Sequence, residues 1–179
     1  MEKKSLTPSE FKCDPFEILA KRWMLLCAGD FQSGKFNFMT VAWGAMGTMW
    51  TKPIVMVVVR PQRFTFEFMN KADSFTLSAF PSTQQKALSL CGAKSGRDID
   101  KIKESGLTPV ASERVGAPGF AEAELTLECR KNYFGDFNPE QFLDPEIHNV
   151  YPGKDYHRMY LGEVLNILAA PNSRYAPPA

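Results

Sequence analysis

The sequence predicts a mainly β protein, a β-barrel with short α insertions. Runs of strand length and strand composition recur along the 179 residues, and they carry the β-branched and aromatic residues that suit a pleated, half-buried surface. The helical stretches between them are short and few. No GxGxxG turn follows a strand, so the alternating βαβ order of a parallel dinucleotide-binding sheet is not the pattern here.

Each element follows in chain order. Asp14–Arg22 (DPFEILAKR) reads as a short helix, with Asp14 as its cap and Pro15 in the first helical position. Met24–Ala28 is an apolar run of strand length, and Phe36–Trp43 (FNFMTVAW) is a loosely alternating strand. Ile54–Val59 (IVMVVV) is continuously apolar and β-branched, the composition of a strand covered on both faces. Arg63–Lys71 is a short helix with Phe64 and Phe68 one turn apart. Ser74–Ala79 is a strand with Phe75, Leu77 and Ala79 on one face. From Ser82, STQQKALSLCG offers a capping box, Ser82 with Gln85, and a helix stop at Gly92. A second helix is expected over 96–105, opened by Ser95 and Asp98 and closed by Gly106. Ala123–Cys129 alternates cleanly and reads as a half-exposed strand, and 156–168 forms the last long strand.

Hydrophobic residues make up 44% and charged residues 23% of the chain, ordinary values for one globular domain with one core. A single domain over 1–179 is expected, with 1–12 and 170–179 flexible or peripheral. The net charge of +1, without a run of one sign, argues against a dedicated nucleic-acid binder. The stretch MEKKSLTPSEFK lacks the apolar centre of a signal peptide. The longest apolar run, Ile54–Val59, is far too short to cross a membrane. A cytoplasmic protein with no membrane partner is the expectation. Cys13, Cys27, Cys91 and Cys129 form no CxxC pair, and the histidines, His148 and His157, lie far from the first three. Free, mostly buried thiols and no metal site follow.

Three stretches can carry chemistry. In CGAKSGRDIDK, Ser95 stands at an expected helix N-terminus, where unpaired N–H groups and the dipole favour an anion. Lys94 and Arg97 add positive charge, and Cys91 beside them is a candidate for a low-pKa thiol. Equally, the stretch suits a solvated helix start. In Arg60-Pro61-Gln62-Arg63-Phe64-Thr65 a buried strand delivers two arginines and a hydroxyl into a turn, and Arg is well shaped to grip a phosphate. Either Arg60 or Arg63 can be the phosphate arm, and equally both suit surface charges on a strand-to-helix connection. In NFMTVAWG, Asn37, Thr40 and the backbone can hydrogen-bond the edge of a planar heterocycle flanked by Trp43 or Met39, although an aromatic and a Met on a strand more often fill a core. There is no GxSxG elbow and no HExxH.

The segment from NFMTVAWG to SFTLSAFP, followed by CGAKSGRDIDK and later by YPGKDYHRMYLGEV, resembles the flavin reductase-like, flavoredoxin-type family of FMN-binding split-barrel proteins. The resemblance runs from about Pro15 to Leu168. It implies a six-stranded split β-barrel with peripheral helices, a homodimer, and FMN held noncovalently near the subunit interface. Asn37, Met39, Thr40, Ala42 and Trp43 match the strand along the isoalloxazine ring. Val59, Arg60, Pro61, Arg63 and Thr65 match the turn near the ribityl phosphate. Ser78, Phe80, Cys91, Gly92, Lys94 and Ser95 match the second wall, with Lys94 beside the ring's N1–C2=O edge, and Asp98 matches the helix start behind it. Tyr156, His157 and Arg158 match a segment reaching the flavin from near the dimer contact. The implied activity is hydride or electron transfer between NAD(P)H, or a redox-protein partner, and an acceptor. A flavoredoxin-type electron carrier without a nicotinamide site is the alternative. No side chain is implied as catalytic, and His157 is the one candidate for proton management.

Overall fold

The computed structural model describes residues 3–171 and 173–177. Its centre is one antiparallel sheet. In chain order the strands are β1 (Lys4–Leu6), β2 (Met24–Asp30), β3 (Lys35–Val41), β4 (Gly44–Met49), β5 (Lys52–Val59), β6 (Ser74–Ala79), β7 (Pro109–Val110), β8 (Gly119–Phe120), β9 (Leu125–Asp136) and β10 (Arg158–Ala169). The main sheet runs β3-β2-β6-β9-β10-β5-β4, with β1 added against β10, while β7 and β8 pair separately. Among the described residues it holds eight strands, where the resemblance implies six. β1 and β4, both absent from the sequence reading, make up the difference. The chain is mainly β, built around this one antiparallel sheet. The split is visible in the pairing: the two ends of the path, β3 and β4, do not pair with each other.

Period-two alternation sorts the side chains of β2. Met24, Leu26 and Ala28 enter the main core with Val55, Val57, Val59, Phe75 and Leu77. Leu25 and Cys27 face a second core, with Phe38, Phe80, Leu88 and Phe120. β5 is buried on both faces, as its composition predicts, apart from Met56 and its first two residues. β9 corrects the expectation of a half-exposed strand, since Leu125–Cys129 are buried on both faces. Thr126 lies under Gly119, and Glu128, fully buried, accepts backbone N–H bonds from Glu113 (2.9 Å) and Arg114 (2.8 Å). A long connection thus folds over a face that alternation alone assigns to solvent. All four cysteines are free, and all but Cys13 are buried.

Three short α-helices lie outside the sheet: α1 (Phe64–Lys71), α2 (Gln85–Ala93) and α3 (Lys101–Ser105). The stretch after Asp14 is helical as expected, and Asp14 Oδ1 accepts from the N–H groups of Phe16 and Glu17. Its body, Glu17–Arg22, is wound as a π-helix. The capping box at Ser82 does not form. Ser82–Gln84 is a 3-10 turn, and α2 begins at Gln85 with no side-chain cap. Gly92 does not stop α2, which continues to Ala93; its missing Cβ lets Thr40 approach, with an ideal Cβ 3.2 Å from the Thr40 Cβ. The helix expected over 96–105 is only α3, because Asp100 wins the capping role by accepting from Lys103 N–H. Gly106 closes it at φ 70°, as predicted. Ser95 and Asp98 stand in a turn before it, so no helix N-terminus points from Ser95.

The tails also differ from expectation. β1 pairs with β10, and Tyr175, 1% exposed, belongs to the main core. Residues 1–2, 172 and 178–179 of those expected tails lie outside the described residues. The β4–β5 hairpin turns through Trp50 and Thr51, both at positive φ (53° and 58°), as a two-residue turn of matching twist requires. No helix among the described residues is long and apolar enough to cross a membrane.

Candidate functional site

Across the open side of the sheet, the end of β3 faces the end of β5 and leaves a cleft of two lobes. The first, about 390 Å³, is lined by Met39–Trp43, Val58, Arg60, Gln62, Arg63 and His157. The second, about 440 Å³, is lined by Asn37, Met39, Gln62–Thr65, Cys91, Ala93–Gly96, Asp98 and Lys101. Met39, Gln62 and Arg63 belong to both. Together the lobes have the size of a site for a cofactor or drug-sized molecule.

Local sequence explains the walls. Strand β3 ends at Val41, two residues before Trp43, and that short non-paired step leaves Ala42 and Trp43 lining the cleft, with Trp43 50% exposed. β5 ends at Val59, and α1 starts at Phe64, so Arg60–Arg63 form the turn between them. The second wall is the end of α2 and the turn after it.

The two arginines of the turn differ. Arg60 is committed: its Nη1 donates to Asp155 Oδ2 (3.0 Å), its Nη2 donates to Val150 O (3.0 Å), and its guanidinium lies over the Tyr151 ring at 5.0 Å. Arg63 donates to Gly92 O (2.9 Å) and has no carboxylate partner among the described residues. It stands where the lobes meet.

Lys101 is the cation that sequence reasoning missed. It is 6% exposed and donates to Phe38 O (2.8 Å) and Cys91 O (2.9 Å). Burial, foremost, pulls its pKa below the usual lysine value. Among the described residues it has no acidic partner, so the second lobe gathers Arg63, Lys94 and Lys101 against one lining carboxylate, Asp98. A buried lysine in a D-x-D-K stretch looks like a solvated helix charge in one dimension, and no local signal marks it. Val41, Val58, Gln62, Phe64, Ala93 and Gly96 were likewise missed.

His157 is nearly buried. Its Nδ1 shares a hydrogen bond of 2.8 Å with Tyr151 Oη, and its ring stands 5.2 Å from that of Trp43. Burial first, and the Arg60 charge second, lower its pKa to about 4. The imidazole is therefore largely neutral at pH 7 and is tied to Tyr151 by that hydrogen bond. Cys91 lines the second lobe, but burial pushes its thiol up, so the low-pKa expectation fails. Arg97 is drawn off by Glu67 and by the Phe64 ring, 4.7 Å away.

The expected site residues therefore divide. Asn37, Met39, Thr40, Ala42, Trp43, Arg60, Arg63, Thr65, Cys91, Lys94, Ser95, Asp98 and His157 line the cleft. Asn37 Nδ2 donates to Thr65 Oγ1 (2.7 Å), and Thr40 Oγ1 donates to Leu88 O, so both side chains are engaged within the protein. Gly92 lies just behind, against Thr40. Val59, Ser78 and Phe80 do not line it, being buried in strands and core. Pro61 faces solvent outside either lobe. Tyr156 packs on Tyr151 and Phe142 and meets His148 Nδ1 at 2.9 Å. Arg158 pairs with Asp136 and Asn70.

Fold and cleft together define a flavin reductase-type split barrel. The chain belongs to the family described as flavin reductase like domain, which it matches over residues 18–177. An uncharacterised protein of Pyrococcus abyssi is 28% identical over 114 residues, covering 63% of this chain and 54% of that protein. Another, from Aeropyrum pernix, is 31% identical over 96 residues, covering 53% and 36%. The chain thus spans about half or less of the length of these curated relatives. Among solved structures it is similar to a flavoredoxin from Methanosarcina acetivorans, with 24% identity, 83% and 68% of the two chains covered and a TM-score of 0.65. For the flavoredoxin of Desulfovibrio vulgaris the values are 21%, 87%, 75% and 0.67. For the NADH:FAD oxidoreductase of Streptomyces globisporus they are 20%, 87%, 86% and 0.62.

Proposed function

We propose that the chain holds FMN noncovalently in the two-lobed cleft and serves as a flavin-dependent oxidoreductase, moving hydride or electrons from NAD(P)H or a redox partner to an acceptor. The observation that carries this reading is the division of labour in the cleft. One lobe gathers Arg63, Lys94 and Lys101, and the other is walled by a strand end and by Trp43. The family of the chain supports it, as do the relatives named as flavoredoxins and as an NADH:FAD oxidoreductase.

The donor set fits a phosphate joined to a flat ring. Arg63, Lys94 and Lys101 supply ammonium and guanidinium donors for a phosphate, with the Ser95 hydroxyl beside them. Gly96 packs directly against Asn37, where the lack of a Cβ lets the turn carrying Lys94 and Ser95 close on the lobe. Bound FMN would supply the two-electron chemistry, and the protein binds, orients and tunes it. Met39–Ala42 and Trp43 border the ring. In this arrangement Arg60 and Arg63, not Lys94, are the cations on the ring side, because Lys94 lines only the other lobe. His157, neutral and tied to Tyr151, acts as part of the wall and shields one side of the lobe from water.

A homodimer accompanies this reading. β4 is an unpaired edge, and Trp43, Met49 and Trp50 beside it are each 46–53% exposed, the kind of edge and patch that proteins cover.

The test is a visible spectrum of the purified protein after adding FMN, repeated anaerobically with NADH and then NADPH. A flavin spectrum that bleaches with either nucleotide supports the oxidoreductase. One that bleaches only with dithionite or reduced ferredoxin shifts the reading to an electron carrier. A protein that takes up no FMN refutes it.

A further inference from the structure

Asp155 lies outside both lobes, in the connection between β9 and β10, yet it controls two residues of the first lobe. Its Oδ2 accepts from Arg60 Nη1 (3.0 Å) and also from Gln62 Nε2. Both donors line the cleft. Their hydrogen bonds hold the Asp155 carboxyl below its usual pKa, the Gln62 bond most of all. The Arg60 and Asp155 side chains are only 25% and 21% exposed, so solvent screens the pair incompletely. The residues lining the first lobe bring in Arg60 and Arg63 and no carboxylate. Without Asp155 that lobe would hold two uncompensated guanidinium groups.

We infer that Asp155 is a specificity-determining residue of the Trp43 lobe: it neutralises Arg60, fixes the Gln62 amide, and leaves Arg63 as the lobe's one open cation. The lobe is thereby set for a planar group that is neutral or carries a single negative charge, and against multiply charged anions. The charge argument stands on the Arg60–Asp155 geometry alone, while naming the planar group as the flavin ring rests on the proposed function. If that ring occupies the lobe, Asp155 also restrains the extra affinity that Arg60 would give to reduced, anionic FMN.

The experiment has two arms, each run on the unaltered protein, Asp155→Asn, Asp155→Glu and the double variant Arg60→Gln/Asp155→Asn. In the first, the midpoint potential of bound FMN is measured. Asp155→Asn raises it, with reduced FMN favoured over oxidised FMN roughly three- to tenfold more than before. Asp155→Glu, which keeps the charge, stays near the unaltered value, and the double variant reverses the gain. In the second arm, inorganic pyrophosphate is titrated calorimetrically into flavin-free protein. Asp155→Asn binds it several-fold more tightly, and the double variant does not. An Asp155→Asn protein with an unchanged potential and no pyrophosphate gain overturns the inference. So does one that only loses affinity for FMN and riboflavin alike, as a merely structural aspartate would. If the unaltered protein takes up no FMN, the proposed function falls, and the pyrophosphate arm still decides the role of Asp155.

Discussion

Gly96→Ala tests the cleft at its tightest point. A Cβ at Gly96 would press into Asn37 Oδ1 and stand 3.3 Å from Phe64 Cδ1. Asn37 is 6% exposed and Thr65 1%, and the Asn37 amide donates to the Thr65 hydroxyl at 2.7 Å. The side chain therefore cannot swing aside freely. Relief breaks that bond and leaves two buried polar groups short of a partner, which costs about 1–3 kcal/mol. Shifting the turn instead displaces Lys94 and Ser95, on the same wall of the lobe. Urea unfolding of Gly96→Ala should show a stability loss of about 2 kcal/mol, and FMN titration should show weaker binding. In an Asn37→Ala background, where the obstructing amide is gone, the loss should shrink by more than half. A Gly96→Ala change within about 0.5 kcal/mol of neutral, or an equal cost in both backgrounds, would refute the packing argument.

Other outcomes follow from the same structure. Arg63→Ala with Lys94→Ala should weaken FMN at least tenfold and riboflavin much less, read by fluorescence titration, because the loss is of phosphate contacts. His157, with a folded pKa of about 4 against an ordinary 6.5, binds a proton more readily unfolded than folded. Stability is complete above about pH 6.5 and falls as pH drops toward 4, by roughly 3 kcal/mol at most; in His157→Gln, denaturant midpoints should lose that part of the slope. Gly162→Ala would drive a Cβ into the Phe75 ring and to 3.1 Å from the Cys129 Cβ, so it should destabilise by about 1–3 kcal/mol in thermal unfolding. Trp50→Ser with Met49→Ser should shift sedimentation from dimer to monomer while leaving the unfolding midpoint of dilute protein nearly unchanged.

Local pattern determined much of this protein. The strand runs at Met24, Phe36, Ile54 and Ser74 were legible because β-branched and apolar residues at strand spacing have one good use. The Asp14 cap and the Gly106 stop were legible because each acts within one turn of chain. The residues together with the family resemblance they carry brought forward thirteen residues of the cleft walls. Only the tertiary structure decided the rest, since it depended on groups distant in sequence. The Glu128 face of β9 became interior when 113–114 folded over it, and Asp100 displaced Ser95 as the cap of α3. Arg60 and Arg63, three residues apart and chemically alike, became a neutralised wall and an open cation because Asp155 arrives from the far end of the chain to meet one of them. Lys101 became a buried cation because Phe38 and Cys91 each turn a carbonyl toward it. Charge in a folded protein is set by what surrounds it, and those surroundings exist only once the chain has closed.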